Sequence, residues 1–231
     1  RHFSIASAPS KSEEPYCLRN GRLGFNIDLC VAVVKGRTRY GRQYQGLCST
    51  YLSSLRPSSM YNVRVWIRPG SFQNMSLDQS KPVLFVGAGT GVAPLRSLIQ
   101  ERLSARKTTT DIPSNILVFG CRKQDKDFYY KGEWERIKED GDLRLITAFS
   151  QDQRHKLYVQ KVLREADGGA FIAKHILERG GAVYIAGGAK MARAVKDEIL
   201  EALAGILGEK KTKALLGKLQ RTGQFSVEAW S

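Results

Sequence analysis

Cysteine and histidine are scarce in this chain of 231 residues, which has four of the first and three of the second. Their spacings fit neither a zinc site nor a redox motif, so we expect no metal site. Scattered cysteines of this kind are typical of proteins from a reducing compartment. No apolar run approaches the roughly 18 residues that a membrane-spanning helix needs, so we expect no membrane partner.

Acidic residues are also in short supply. The chain has 22 Asp and Glu against 37 Lys and Arg, which gives a formal net charge of +15. An excess of this size favours anionic partners, such as an acidic protein surface or a phosphorylated cofactor. No stripe of interleaved basic and aromatic residues accompanies the charge, so we expect no nucleic-acid partner.

A secretory leader is not recognisable at the amino end. The chain opens at Arg1, directly before a stretch that is typical of the inside of a strand. We therefore expect the natural polypeptide to extend beyond Arg1, and the missing leader excludes nothing. The composition, with 42% hydrophobic and 9% aromatic residues, is that of a globular protein with one large or two small domains.

The most informative stretch runs from Lys81 to Arg102. The unbroken apolar run at residues 83–86 is typical of a strand that is buried on both faces. Three alternate glycines follow at residues 87–91, and apolar residues at helical spacing begin at Val92. A strand, a glycine turn and a helix start predict an anion site suited to a pyrophosphate, because the first helical N–H groups lack partners. The spacing departs from the Gly-x-Gly-x-x-Gly fingerprint of dinucleotide sites, and a tight turn without a ligand is the alternative interpretation.

The first third of the chain, residues 1–80, is predicted to be β structure. Its apolar and polar side chains alternate in several places, as they do in half-buried strands. A polar, basic stretch with two glycines follows the strand predicted at residues 25–34, and its length and composition predict a long loop. The predicted elements are strands at residues 3–6, 25–34 and 62–68, a loop at 35–45 and a short helix at 50–55.

Strands and helices alternate from residue 82 onwards. The predicted strands lie at residues 83–86, 116–120, 143–148, 183–186 and 224–230, and the predicted helices at 92–105, 131–139, 158–178 (broken), 191–207 and 210–220. This order implies a parallel sheet with right-handed crossovers and helices on both faces. Ligands of such sheets bind beyond the carboxyl ends of the strands, which here carry glycine, serine or a cation. We therefore predict a nucleotide-binding domain.

Several short segments carry a resemblance to a known family. They are Gly46-Leu47-Cys48-Ser49, Phe119-Gly120-Cys121-Arg122, Ala148-Phe149-Ser150 and Lys156-Leu157-Tyr158-Val159-Gln160. Together they resemble the ferredoxin-NADP⁺ reductase family, and within it the reductase half of the diflavin reductases. More narrowly, they are similar to the NADPH-dependent diflavin oxidoreductases of cytosolic iron–sulfur assembly, with microsomal cytochrome reductase and methionine synthase reductase as the alternatives.

The resemblance implies a ferredoxin reductase-like fold. Residues 1–80 would form part of an antiparallel FAD-binding β-barrel, with its N-terminal strands and connecting segment absent, and residues 81–231 an α/β NADP(H)-binding domain with a five-stranded parallel sheet. It further implies that NADPH gives a hydride to FAD, and that electrons pass to FMN on a domain absent from this chain. The last acceptor would be an iron–sulfur protein in the cytoplasm. A degenerate module that binds NADPH or a partner without catalysis is the alternative from another functional class.

The amino end matches the first FAD motif of that family. The matching residues are Arg1, His2, Phe3 and Ser4, with Phe3 in place of the usual tyrosine. The resemblance implies that Arg1 contacts the FAD pyrophosphate, that Phe3 stacks on the flavin and that Ser4 lies near its reactive nitrogen. Taken by itself, Arg1 is better interpreted as an exposed cation at the end of a strand.

Two further segments complete the implied flavin site. The second FAD motif, in which backbone N–H groups at a helix start face the cofactor, matches Gly46, Leu47, Cys48 and Ser49. Trp230 would cover the flavin, and Glu228 together with Ser4 would support hydride transfer as catalytic residues. The alternatives are that Ser49 is an ordinary helix N-cap and that Trp230 is a hydrophobic plug at a sheet edge.

The implied NADPH site spreads over the carboxyl ends of the strands. Its residues are Thr90, Arg122, Ser150, Gln151, Lys156, Leu157, Tyr158, Val159, Gln160 and Ala194. Ser150, Lys156 and Tyr158 would surround the adenosine 2′-phosphate with charge and hydrogen-bond donors. Three positions depart from the family pattern, because Gln151 stands where arginine is usual, and Ala186 and Ala194 stand where relatives often have cysteine and aspartate.

Overall fold

The computed structural model describes residues 1–9, 16–17, 23–24, 26–57, 59–72, 80–106 and 115–230. Its strands are β1 (Tyr16–Cys17), β2 (Leu23–Gly24), β3 (Lys35–Arg37), β4 (Gln43–Gln45), β5 (Val83–Ala88), β6 (Asn115–Cys121), β7 (Leu143–Phe149), β8 (Ala182–Gly188) and β9 (Phe225–Trp230). Its α-helices are α1 (Leu47–Ser54), α2 (Val92–Arg106), α3 (Gln124–Asp127), α4 (Lys131–Glu139), α5 (Val159–Glu165), α6 (Phe171–Ala173), α7 (Ala189–Leu207) and α8 (Glu209–Arg221).

Five parallel strands form the central sheet, in the order β7-β6-β5-β8-β9. Every neighbouring pair in it is parallel, which confirms the five-stranded parallel sheet predicted from the sequence. The innermost strand, β5, is apolar and buried along almost its whole length, as a strand covered on both faces must be. Because all five strands run the same way, their carboxyl ends meet at one edge.

Helices cover both faces of this sheet. On one face α2 and α4 pack against the sheet through fully buried side chains such as Leu95, Ile99 and Trp134. On the other face α5, α7 and α8 contribute a second apolar layer around Val195 and Ile199. Each of these large side chains contributes about 1.5–3 kcal/mol by its removal from water, so the two layers hold the sheet edge in a fixed shape.

The segment between β7 and β8 is irregular, as the prediction of a broken helix at residues 158–178 implies. After α5 the chain makes a 3₁₀ turn at Ala166–Gly169, and after α6 it makes a π-helical turn at Lys174–Glu178. Asp167 has a φ of 50°, a left-handed conformation that interrupts the helix. The predicted helices 191–207 and 210–220 each begin one or two residues earlier in the structure, as α7 and α8.

The amino-terminal part contains less regular structure than the sequence predicts. Residues 3–6 and the described part of residues 25–34 meet only at one antiparallel bridge, between Ile5 and Leu29, and Phe25 lies outside the described residues. The strand predicted at residues 62–68 is wrong. Its alternating apolar side chains are exposed, because no neighbouring strand lies beside them in the described part of the chain.

The loop predicted at residues 35–45 is also wrong. β3 and β4 pair there as an antiparallel hairpin, and the tight turn between them is closed by a hydrogen bond from Gly41 N–H to the Thr38 carbonyl at 2.9 Å. Gly41 has a φ of +81°, which explains why a glycine stands at this turn. The short helix that follows begins at Leu47, three residues before the predicted start at residue 50.

The described residues contain neither a metal site nor a membrane-spanning helix. Within the described residues no group of three or more His, Cys, Asp or Glu side chains could hold a metal ion. No described helix combines the length and the apolar character that crossing a membrane requires. The thiols of Cys30, Cys48 and Cys121 are free.

Candidate functional site

The turn between β5 and α2 has the geometry of an anion site. Gly89–Gly91 makes one 3₁₀ turn, and α2 starts directly after it. A Cβ atom at Gly91 would stand 2.1 Å from the carbonyl oxygen of Ala186 on the neighbouring strand, so only glycine fits. Gly89 has a φ of +56° and no neighbouring atom within 4 Å of its ideal Cβ position, so this side of the turn faces open space. The Val92 N–H bonds within the turn, to the Gly89 and Thr90 carbonyls, and the open space beside Gly89 leaves room for an anion at the start of the helix.

A second glycine turn lies beside the first, between β8 and α7. Gly187 has a φ of +147° and packs against Met191, while Gly188 is exposed. Because β8 is the immediate neighbour of β5, the two turns stand side by side on the sheet edge. Ala194 lies in the second turn of α7 and is half-buried, so its methyl group offers no charge to a ligand.

The ends of β6 and β7 are joined by backbone hydrogen bonds beyond the sheet. Ser150 N–H donates to the Cys121 carbonyl at 2.9 Å, and Gln151 N–H donates to the Arg122 carbonyl at 2.8 Å. These bonds place Arg122 next to Ser150 and Gln151. The Arg122 guanidinium is mostly exposed and pairs with Asp127 at 3.3 Å, so it remains accessible to an anion. Burial, reinforced by Asp127, raises the pKa of Cys121 to about 12, so its thiol stays protonated.

The segment that follows β7 presents a mixed surface. Gln151, Lys156 and Tyr158 are exposed, whereas Leu157 is half-buried and Val159 is fully buried. Val159 packs against Gly120, where an added Cβ would come within 2.6 Å of it. Leu157 and Val159 therefore anchor the segment. Lys156 and Tyr158, which flank Leu157, are exposed at the same edge of the sheet as Arg122. Thr90 and Gln160 are half-buried at either side of this edge.

The amino end and the last strand meet through a direct side-chain contact. Ser4 Oγ donates a hydrogen bond to Glu228 Oε1 across a separation of 224 residues. Two residues beyond Glu228, Trp230 pairs in register with Gly188 and is 38% exposed at the end of β9. Phe3 is half-buried beside Ser4, whereas Arg1 and His2 are exposed. The structure thus brings Ser4, Glu228 and Trp230 to the same edge as the two glycine turns.

The start of α1 forms a separate, compact turn. Gly46 is the N-cap residue of the helix, and the N–H groups of Leu47, Cys48 and Ser49 are the first of the helix. The Ser49 hydroxyl is buried, where it accepts from Val34 N–H at 3.1 Å and donates to the Gly46 carbonyl at 3.2 Å. Ser49 is therefore not the N-cap, and that alternative interpretation is wrong. Its hydroxyl instead ties the helix start to residue 34, next to β3.

A buried polar network near the site was not predicted from the sequence. Arg96 of α2 contacts Glu133, Asp28 and the face of Tyr130. Burial, followed by the neighbouring Cys30 thiol, raises the pKa of Tyr130 to about 12, and Tyr130 has a φ of 59°, which is unusual for a residue other than glycine. The one available signal was a charged residue, Arg96, inside the apolar helical pattern that follows the glycine turn.

Comparisons with known proteins agree with this geometry. Residues 85–197 match the family model described as the oxidoreductase NAD-binding domain, which covers both glycine turns. A mouse protein named NADPH-dependent diflavin oxidoreductase 1 is 40% identical over 239 residues, which cover 100% of this chain and 36% of the relative. Proteins of the same name from Danio rerio and Arabidopsis thaliana are 38% and 35% identical, again over 100% of this chain and 36% of the relative. The chain therefore spans a little over one third of the length of these relatives.

Proposed function

Because the chain belongs to the family of the NADPH-dependent diflavin oxidoreductases, we propose that it carries the NADP(H) site and part of the FAD site of such an enzyme. In this proposal residues 81–231 form the NADP(H)-binding domain, and residues 1–80 supply the carboxyl-terminal part of an FAD-binding barrel. The full-length protein transfers a hydride from NADPH to FAD. The observation that carries the proposal is the hydrogen bond between Ser4 and Glu228, which lies at the same sheet edge as both glycine turns.

The residues at this edge fit a dinucleotide. Gly89 faces open space at the start of α2, where the helix dipole favours the negative charge of phosphate oxygens. FAD and NADP(H) supply the two-electron chemistry when bound, and the chain supplies position and charge. Thr90 lies in the turn itself and takes part in holding the pyrophosphate.

The polar side chains after β6 and β7 suit the 2′-phosphate that distinguishes NADPH from NADH. Arg122 and Lys156 bring positive charge, and Ser150 and Tyr158 bring hydroxyl donors. Gln151 contributes an amide where the family usually has a second cation. Leu157, Val159, Gln160 and Ala194 shape the surrounding surface rather than carry charge, in keeping with their burial.

The flavin side has a proton-handling pair and two aromatic rings. Glu228 accepts the Ser4 hydrogen bond, which fixes the orientation of the hydroxyl beside the reacting ring edge. Phe3 stacks on the flavin, and the indole of Trp230 covers the other face until a nicotinamide displaces it. The pyrophosphate of FAD is held by Arg1, His2 and the first helical N–H groups, those of Leu47, Cys48 and Ser49, while the Gly46 N–H bonds to the Val34 carbonyl at 2.8 Å.

Electrons then leave for an FMN domain of the same polypeptide, and from there for an iron–sulfur protein of the cytoplasm. The charge of the amino-terminal part supports an acidic docking partner. Residues 29–72 carry seven Lys and Arg and no Asp or Glu, and all seven cations are exposed. None of them forms an ion pair with another described residue, whereas exposed cations elsewhere, such as Arg144, do. Unpaired charge of one sign steers the encounter with an oppositely charged protein.

Anaerobic reduction of the purified full-length protein tests the proposal. Bound FAD and FMN are expected from the absorbance spectrum, and NADPH should bleach the flavin far faster than NADH does. Binding of NADP⁺ without any flavin reduction would contradict the proposed reductase activity. It would favour a non-catalytic binding module, the alternative to which the neutral Gln151 points. Reduction that NADH drives equally well would contradict the 2′-phosphate site.

A further inference from the structure

We propose that Arg96 is a positioning residue, which fixes the distance between the flavin edge at Ser4 and the nucleotide turn at Gly89–Gly91. This inference rests on the proposed function. It concerns a side chain that touches neither cofactor site directly.

Arg96 joins three parts of the chain through a single guanidinium. Its Nε donates to Glu133 Oε2 on α4 at 2.6 Å, and its Nη1 donates to Asp28 Oδ2 at 2.8 Å and to the Ala6 carbonyl at 2.9 Å. The guanidinium carbon lies 4.4 Å from the centre of the Tyr130 ring. The Arg96 side chain is only 12% exposed, so its contacts with Glu133 and the Ala6 carbonyl are largely shielded from bulk water, where charged hydrogen bonds are strong, whereas Asp28 lies closer to the surface.

The two carboxylates compensate for the burial of this cation. Burial by itself lowers the pKa of Arg96, but the hydrogen bonds that Arg96 donates to Glu133 and Asp28 outweigh it and hold the pKa above its ordinary value. Glu133 is in turn fixed by Gln100, whose amide donates to its Oε1 at 2.7 Å. A planar guanidinium held by three acceptors and a ring has one orientation, which is what a spacer requires.

Neighbouring residues of α2 hold the same short segment of the amino end. Ser97 Oγ donates to the Ser7 carbonyl at 2.9 Å, and the Gln100 side-chain oxygen accepts from Ala8 N–H at 3.0 Å. Together with Arg96 they bind the backbone of three consecutive residues, of which Ala6 and Ala8 are buried. Residues 6–8 are therefore fixed to one side of α2.

Both proposed cofactor sites lie close to the contacts of Arg96 along the chain. The glycine turn is about one helical turn away, and Ser4 is two residues from Ala6. Along α2, Arg96 lies about 6 Å from Val92, where the helix leaves the glycine turn. Along the amino end, Ser4 precedes Ala6 by two residues, or about 7 Å of extended chain. Because a helix is stiff, the contacts of Arg96 fix the position of Ser4 relative to the glycine turn at the start of α2. Hydride transfer requires reacting atoms about 3–3.5 Å apart, so a small change in this spacing affects the chemical step more than binding.

The test replaces Arg96 by methionine in the full-length protein. This substitution keeps most of the aliphatic side chain and removes the guanidinium group. We expect NADP⁺ affinity and flavin content to stay within about twofold of wild type. The rate of flavin reduction by NADPH in stopped flow should fall at least tenfold, and the deuterium isotope effect on that step should rise. R96K should recover part of the rate, because an ammonium group keeps the charge but lacks the planar, widely spaced donors that reach the three acceptors in fixed directions.

Arg144 provides a matched control. It pairs with Asp167 through two hydrogen bonds and lies 5.0 Å from the centre of the Phe171 ring, yet it sits near the start of β7 and touches no part of residues 4–8. R144M should reduce flavin at the wild-type rate. D28N offers a milder change, because the Asp28 side chain is 55% exposed, and it should lower the rate in the same direction by a smaller factor.

Two outcomes overturn the inference. If R96M and D28N both reduce flavin at the wild-type rate with an unchanged isotope effect, Arg96 does not set the spacing. If R96M fails to fold while D28N has the wild-type rate and isotope effect, the role of Arg96 is structural only. Failure of the proposed function is seen separately, because the wild-type protein itself would then show no NADPH-dependent flavin reduction.

Discussion

Replacing Gly91 by alanine places a methyl group against the backbone of the neighbouring strand. The new Cβ would lie 2.1 Å from the Ala186 carbonyl oxygen and 2.6 Å from its carbon, and neither is the end of a flexible side chain. Favourable contact needs about 3.5 Å, so the turn at Gly91 and β8 must separate by about 1.4 Å. Overpacking of this kind destabilises a protein by about 1–3 kcal/mol.

Thermal unfolding and NADP⁺ titration of the G91A variant measure both consequences. A chain of this size loses about 2–4 °C of melting temperature for each kcal/mol, so a decrease of several degrees is expected. The shift also moves the N–H groups at the start of α2. We therefore expect about tenfold weaker NADP⁺ binding, the equivalent of about one charged hydrogen bond of 1.5 kcal/mol.

Gly132 supplies the control for this experiment. It lies exposed in the first turn of α4, and an added Cβ there meets no atom within 4 Å. G132A should melt at or slightly above the wild-type temperature, because alanine is the better helix former by about 0.5–1 kcal/mol. A G91A variant that melts and binds NADP⁺ like the wild type would refute the close approach of α2 to β8 and the anion site built on it.

Three further changes test other parts of the molecule. K156A should weaken NADPH binding roughly tenfold, since a charged hydrogen bond contributes about 1.5–3 kcal/mol, and should leave NADH binding unchanged; an equal loss for both coenzymes in titrations would exclude a 2′-phosphate contact. W230A in the full-length protein should raise NADH-driven turnover far more than NADPH-driven turnover in steady-state kinetics, because the indole competes with the nicotinamide. An unchanged coenzyme preference would show that Trp230 serves only to pack the end of the sheet. Burial lowers the pKa of His175, so the folded state resists protonation and the free energy of unfolding should fall as the pH drops below about 6.5. H175Q, which keeps a donor for the Ala182 carbonyl, should lose that slope between pH 7 and 5.5 in urea titrations, and an unchanged slope would assign it to other groups.

The parallel sheet was predictable because its strands are coded locally. Residues 83–86 are an unbroken apolar run, and the glycines after them mark a turn that only glycine fits. The strand predicted at residues 62–68 failed although its alternation is as clear. Alternation describes two faces, but a strand also needs a neighbour to bond with, and the described part of the chain gives it none.

The site was predictable only in part, for a related reason. The glycine turns and the strand ends follow from pattern, whereas the pairing of Ser4 with Glu228 was expected only from the resemblance, since no local pattern links residues 224 positions apart. Arg96 was missed because helical periodicity marks apolar residues and is silent about a cation in the same stretch. Its partners, Asp28 and Glu133, lie 68 and 37 positions away.

The contact between Ser4 and Glu228 also bears on how the protein is made. At translation rates of about 5–20 residues per second, Ser4 is added to the chain roughly 11–45 s before Glu228. Strand β9 must join the open side of β8 before that hydrogen bond can form, so the amino end stays without its partner throughout synthesis. Contacts of such long range make folding slow and expose strand edges meanwhile. The nascent chain is therefore expected to depend on chaperones late, when the last edge of the sheet closes.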